Sequence, residues 1–356
     1  MNLIDIARAR MFTQQITQTQ FKTVTELVDW MGAMQAQDAA MVNWAMAQRV
    51  SDSTELDVRK ALDAGEIIRT HLMRPTWHVV TASDIYWMLE LTGPQILTAN
   101  KGRHKQLELD EKTIAKSNDI LVKNLEGGKH LTREEIIVEL QNAGINTSEN
   151  RASHLFMCAE LEGIICSGKM NGKKQTYALL PERVPQKNLL IQEEALATLA
   201  KKYFASHGPA TLKDFIWWSG LKVRDAKKAL ELISTELLSE NVEDDTYFFT
   251  DSINTSKPED DVFLLPAFDE YLISYTNRSA SITSEHHKKA ISMNGIFWPI
   301  IVVDGQVKGT WKRTIKKDKV EFSTTMFDEV SNVVEDKINE KAREFGVFLQ
   351  KEVLFK

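Results

Sequence analysis

The stretch Gln35-Ala36-Gln37-Asp38 carries the most pointed chemistry in this chain of 356 residues. Two glutamines, one small residue apart, follow Gly32 at a break between two helical patterns. A glutamine amide is uncharged and a poor base, but its oxygen accepts and its nitrogen donates hydrogen bonds. At an active site such a pair orients a water or a substrate and does not take a proton. The plainer reading is a polar loop or helix cap. Asp38 reads as the N-cap of the following helix, and is the base in reserve if the glutamines serve only in binding. Asp269-Glu270 offers a carboxylate pair for acid–base work, or a scaffold. His71 and His78 lie on one hairpin, where either one satisfies a core hydrogen bond or His78 shares a face with Arg74 and Thr76. No His, Cys and Asp cluster has ligand spacing, so neither metal nor cofactor is expected. Cys158 and Cys166, each flanked by apolar residues, read as buried thiols.

These residues need a large scaffold, and the chain can build one. Its length suits two or three domains, and 43% hydrophobic with 26% charged residues allows a sizeable core. No apolar run reaches bilayer-spanning length, and Met1-Asn2-Leu3-Ile4-Asp5 lacks the basic and apolar regions of a secretory signal, so a cytoplasmic protein off the membrane is expected. The net charge of −6 argues mildly against nucleic acid, although the distribution of charge matters more than its sum.

Along the chain one grammar repeats. Thr23-Val24-Thr25-Glu26 is a capping box opening a helix through Met31. Ile67–Met73 and Thr76–Val80 flank Arg74-Pro75 as a hairpin. Thr81-Ala82-Ser83-Asp84 reads as another capping box, for a helix through Leu91, and residues 100–117 as a polar linker. Thr132-Arg133-Glu134-Glu135 then caps a helix ending near Gly144, a second helix runs from about Asn150 to Leu161, and two strands meet at a tip rich in glycine and lysine. Helix–turn–helix followed by a basic hairpin is the winged-helix order. Glu193–Ser206, the helix capped by Thr211, Gly220, a helix over Val223–Leu237 and the strand Thr246–Phe249 repeat it. From Asp261 onward short strands take over, with Asp304-Gly305 as a hairpin turn, followed by a charged amphipathic helix over Asp328–Phe345. The expected fold is α+β: winged-helix units over 1–99, 118–184 and 190–255, and a small β domain with a C-terminal helix over 261–356. Units of this kind bind DNA more often than they catalyse, so a non-catalytic DNA-binding protein stays open. Trp217-Trp218 reads as core at helical spacing.

Several stretches in order carry a resemblance: Gln35-Ala36-Gln37-Asp38, Arg69-Thr70-His71-Leu72-Met73-Arg74-Pro75-Thr76-Trp77-His78, Leu265-Pro266-Ala267-Phe268-Asp269-Glu270-Tyr271 with Arg278, Asn294-Gly295, and Asp304-Gly305-Gln306-Val307-Lys308-Gly309-Thr310-Trp311. With these the chain resembles the AlkZ-type winged-helix DNA glycosylases from about Ile4 to Phe322. The resemblance implies tandem winged helices and a β domain forming a C-shaped DNA channel. It implies monofunctional excision of N7-alkylated purines, and for better-studied members the unhooking of interstrand crosslinks. Gln35 and Gln37 match the family's Gln-x-Gln catalytic motif, with Ala36 where the family often has a larger residue. The partner is then double-stranded DNA carrying alkylated bases, met by a monomer without cofactor or metal in the bacterial cytoplasm. Arg69, Arg74, Thr76, His78, Lys173, Lys174, Arg278, Lys312 and Arg313 are the residues expected to bind that DNA, mostly at phosphate, where contacts fix register and do not read sequence.

Overall fold

A computed structural model describes residues 1–251, 253–257 and 262–356. Ser252 and Asp261, which fall in the expected segments 190–255 and 261–356, lie outside the described residues. Among the described residues the chain is a mixed α+β protein that divides into two compact units, residues 1–58 with 196–356, and residues 59–195. Each unit is built on its own core.

In the unit of residues 59–195, Ile67–Leu72 and Thr76–Thr81 form an antiparallel hairpin in which Thr70 faces His78 and His71 faces Trp77. The helix that follows runs Ile85–Gln106, well beyond the expected end at Leu91. Pro94 lies inside this helix, where it costs a backbone donor but does not end the helix. Gly93 is needed where it stands: a Cβ there would sit 2.8 Å from the carbonyl oxygen of Leu161 on the neighbouring helix. Asp84 makes no backbone cap and instead accepts from Trp87 Nε1 at 3.0 Å. Residues 100–117, expected as a linker, are largely helical, because the next helix starts at Glu111 and Leu107 and Leu109 between the two are both 4% exposed. Their polarity marks a solvated helix face and not a tether.

Arg133–Asn142 and Arg151–Leu161 follow, the first opened by a capping box of Thr132 and Glu135. Strands Ile165–Ser167 and Thr176–Leu179 then pair antiparallel, with Leu131–Thr132 along the other edge of Thr176–Leu179. Leu125, Ile136, Leu140, Leu155, Phe156 and Ile165 fill the core between helices and sheet. At the hairpin tip Asn171 and Lys174 bridge each other around Gly172, at φ 62°, and Lys173 and Lys174 are exposed.

The other unit contains helices Leu3–Thr13, Val24–Met31 and Ala39–Ala47, then resumes after the second unit's chain. Leu212–Ser219 is opened by a Thr211–Asp214 capping box and closed by Gly220 at φ 68°. The next helix, Val223–Leu232, stops five residues before the expected end, and Leu238–Val242 is a strand paired with Asp245–Phe249. The sequence Leu-Ser-Glu-Asn-Val shows no strand alternation of its own; its partner across Glu243-Asp244 imposes the extended form. A five-stranded sheet runs in the order Glu352–Phe355, Lys319–Met326, Gln306–Ile315, Ile300–Val303, Val262–Leu265. The turn at Asp304-Gly305 has φ of 45° and 76°, as a two-residue hairpin requires. Helix Asn332–Phe348 covers this sheet, and the last strand pairs parallel to Lys319–Met326.

The sheet is bolted to the helix after the glutamine motif. Trp44 Nε1 donates to Leu264 O at 2.8 Å, its ring lies 5.2 Å from those of both Phe345 and Phe348, and Trp311 Nε1 donates to Leu265 O at 2.9 Å. The motif therefore stands between a helix it follows and a helix tied to a sheet.

Candidate active site

Helix Val24–Met31 is held at its start by reciprocal Thr23 and Glu26 bonds and ends at Gly32, with φ 73° and ψ −56°. That conformation reverses the chain in one step and is open in practice to glycine alone. The chain then extends through Met34–Gln35. Ala33, Met34 and Ala36 bury their side chains, with exposures of 0, 1 and 0%, so the small middle residue of the motif faces the interior. Gln35 is buried as well, at 7% exposed, whereas Gln37 is exposed. Asp38 then caps helix Ala39–Ala47 by accepting from the amides of Ala40 and Met41, both at 3.1 Å. The capping role expected of Asp38 is thus present. Its other oxygen lies 3.9 Å from Arg313, whose guanidinium burial pushes below its ordinary value.

The motif is fastened from a segment 235 residues away. The amide of Gln35 donates to Glu270 Oε1 at 2.5 Å. Glu270 is 2% exposed, and its other oxygen accepts from Trp218 Nε1 at 3.2 Å and from the Ser274 hydroxyl, with His207 Nε2 at 3.4 Å. Burial pushes this carboxyl up, but the neighbouring His207 imidazole, through its polar contact and its charge when protonated, together with hydrogen bonds from Ser274 and the Gln35 amide, outweighs burial and holds the group at about 2. Burial also pushes the His207 imidazole below its ordinary value, against the pull of Glu270. His207 stacks on Tyr203 at 5.0 Å, and the Trp218 ring lies 4.9 Å from Tyr203, so the donors are fixed by packing.

Next along the chain from Glu270, Asp269 accepts from both arms of Arg49, at 2.7 and 3.0 Å, and from the Tyr271 amide at 2.9 Å. Arg49 also donates to Gln14 O at 3.0 Å and Ala45 O at 2.8 Å. Both side chains are essentially without exposure. Asp269-Glu270 is therefore a scaffold buried beneath the motif, the second of its two readings. A carboxyl held this low is not poised to donate a proton near neutral pH.

The cations are dispersed. Arg278 donates from Nε to Leu272 O at 2.7 Å, and its guanidinium lies 5.1 Å from the Phe297 ring and 5.9 Å from Trp217. Trp217 is 43% exposed, unlike Trp218 beside it, because successive helical residues point about 100° apart; reading both as core fails for the first. Lys312 and Arg313 project to opposite faces of their strand, and Lys312 is exposed. In the unit of residues 59–195, Arg69 lies over Trp77 at 4.6 Å and donates to Gln175 at 3.1 Å. Arg74 and Thr76 are half-buried at the hairpin turn, and His78 is buried with Nδ1 3.1 Å from Thr76 O. His71 pairs with Glu160 at 2.5 Å and packs against Trp77. Of the expected site residues, Arg313 is brought within 3.9 Å of Asp38, which directly follows Gln37 in the chain, and Gln35, Arg278 and Lys312 belong to the same unit of residues 1–58 and 196–356.

Sequence reasoning missed Arg49, His207 and the tie from Glu270 to Gln35. Each is an ordinary residue whose partner lies far along the chain, and none stands in a motif of its own.

The AlkZ-like family model, described as DNA glycosylase AlkZ-like, matches residues 28–348. A relative from Streptomyces sahachiroi described as an interstrand DNA cross-link repair glycosylase is 25% identical over 331 residues, covering 85% of each chain. The structure is similar in fold to that of Streptomyces sahachiroi DNA glycosylase AlkZ, with a TM-score of 0.79, 19% identity and full coverage of both chains. The order of motifs and the span of the family match agree, and the chain belongs to the AlkZ-like DNA glycosylase family.

Proposed function

We propose that this protein is a monofunctional DNA glycosylase that hydrolyses the N-glycosidic bond of cationic N7-alkylated guanine in duplex DNA. The observation that carries this reading is the anchoring of Gln35-Ala36-Gln37: Glu270 grips one end, Asp38 caps the next helix, and Gln37 stays exposed. A motif serving only as a loop has no need of a buried carboxylate on its backbone.

Guanine alkylated at N7 already carries the positive charge that makes it a leaving group. As C1′–N9 breaks, the bonding pair moves to the base, which departs neutral, and the sugar becomes oxocarbenium-like. A water then adds at C1′ and its spare proton passes to solvent, leaving an abasic site. The amide oxygens of Gln35 and Gln37 accept hydrogen bonds from that water and hold it near C1′, which is positioning and not base catalysis. Neutral lesions such as uracil need more help at the base than two amides give, so the substrate range is narrow.

In this reading residues 118–184 and 190–255 are winged-helix units that, with residues 1–99 and the β domain, bind DNA by phosphate contacts. Lys173, Lys174 and Lys312 are exposed cations suited to that work, with Arg69, Arg74, Thr76, Arg278 and Arg313 beside them; His78, expected among them, has no exposed surface and is left out of the set. The name of the Streptomyces relative, an interstrand DNA cross-link repair glycosylase, supports interstrand crosslinks as further substrates. The protein works as a cytoplasmic monomer without cofactor. Purified protein incubated with duplexes bearing N7-methylguanine or uracil, followed by chromatography of the released base, tests this. Release of N7-methylguanine alone is expected; DNA binding with no release of either base leaves a non-catalytic DNA-binding protein.

A further inference from the structure

The two glutamines lack what a cationic sugar most needs nearby, which is negative charge. The buried charges behind them are almost all matched. Arg49 and Asp269 close on each other through two bonds of 2.7 and 3.0 Å, and Arg10 lies 3.8 Å from Asp214. Glu270 differs. Among the described residues the ionisable group in contact with it is His207, at 3.4 Å, in a site that burial makes unfavourable for a charged imidazole. Its other donors, the Gln35 amide, the Trp218 indole and the Ser274 hydroxyl, are neutral. They orient the carboxylate without cancelling it. Fixed charge at such a place stabilises a developing opposite charge without reorganisation during the reaction.

We propose that Glu270 is a positioning residue for base excision, which sets the backbone of Gln35 and lends the site the negative charge that favours the cationic sugar. The inference rests on the glycosylase reading above. Glu270 acts through Gln35 and does not touch the substrate. The field it provides is strongest for the transition state, because the intact nucleotide carries its cation on the base while the reacting one carries it on the sugar beside the glutamines.

Glu270→Gln keeps the size of the side chain and an acceptor for the Gln35 amide while removing the charge. The experiment measures kcat and KM on N7-methylguanine DNA, together with affinity for two duplexes, one with a cationic pyrrolidine abasic analogue and one with the neutral tetrahydrofuran analogue. The wild type is expected to prefer the cationic duplex by about tenfold or more, and E270Q to lose that preference while binding the neutral duplex as before. For E270Q kcat is expected to fall by roughly 10–100-fold with KM little changed. A wild type that releases N7-methylguanine yet binds both analogues equally overturns the inference and leaves the glycosylase reading standing, whether or not the variant folds. Equal weakening of E270Q toward both duplexes also overturns it, being the mark of a merely structural residue. A wild type that releases no base overturns the glycosylase reading itself.

Discussion

Arg49→Leu should be among the most damaging single changes away from the glutamines. Arg49 and Asp269 are both without appreciable exposure and meet through two bonds of 2.7 and 3.0 Å. Loss of the guanidinium strands the Asp269 carboxylate in the interior, where the Tyr271 amide still donates to it at 2.9 Å. Stranding a buried charge in this way costs about 3–5 kcal/mol, against a total stability on the order of 5–15 kcal/mol. Removing the stranded charge as well, in Arg49→Leu with Asp269→Asn, should return a substantial part of that loss. The assay is urea unfolding of the four proteins of the cycle, followed by tryptophan fluorescence, with coupling energy as the readout. Glycosylase activity of the single variant should fall too, since Asp269 adjoins the residue that grips Gln35. A loss below about 1 kcal/mol for Arg49→Leu, the range of exposed ion pairs, would refute the claim that this pair sets the scaffold.

Gly32→Ala places a side chain at φ 73°, with its Cβ 3.2 Å from Lys202 Cβ and 3.6 Å from Trp218, so unfolding measurements should show a loss of about 1–3 kcal/mol and base release should slow as the motif is re-aimed. Acid should destabilise the protein in two stages. His207, depressed by burial, favours folding while neutral, and that contribution fades as pH falls through its ordinary value of 6.5. Glu270, held at about 2 against an ordinary 4.5, contributes stability above pH 4.5 that is lost as pH falls toward 2, on the order of 3 kcal/mol, and Glu270→Gln should flatten that lower stage of a pH–stability curve. Arg313→Ala, which removes the cation 3.9 Å from Asp38, should weaken binding to all duplexes and lower the slope of log affinity against log salt by about 1.

Much of this fold was legible where local signals agree. The Thr23, Thr132 and Thr211 capping boxes, the Gly220 turn and the Asp304-Gly305 hairpin occur where residue types demand them, because each is settled within four residues. The errors fall where distant partners decide. Residues 100–117 look like a polar linker, but Leu107 and Leu109 anchor them to a core supplied from elsewhere. Glu352–Phe355 shows no independent strand signal and is ordered by Lys319–Met326. The C-terminal helix outlasts its expected end at Phe345, because Gly346 allows a close pass by Val353 and Phe348 packs on Trp44. In the site, Gln35 and Gln37 stand out by their type and spacing. The grip on Gln35 does not, since it crosses from residue 35 to residue 270 and runs through a backbone amide that any residue possesses.

In the proposed reaction the two glutamines hold the water for hydrolysis. Single-turnover release of N7-methylguanine from duplex DNA, for wild type and for Gln35→Ala with Gln37→Ala, is the most direct test of this. Protein that binds the duplex with unchanged affinity but excises at least about a hundredfold more slowly is expected of the double variant. Excision by the double variant at the wild-type rate would mean that the water is held by other groups.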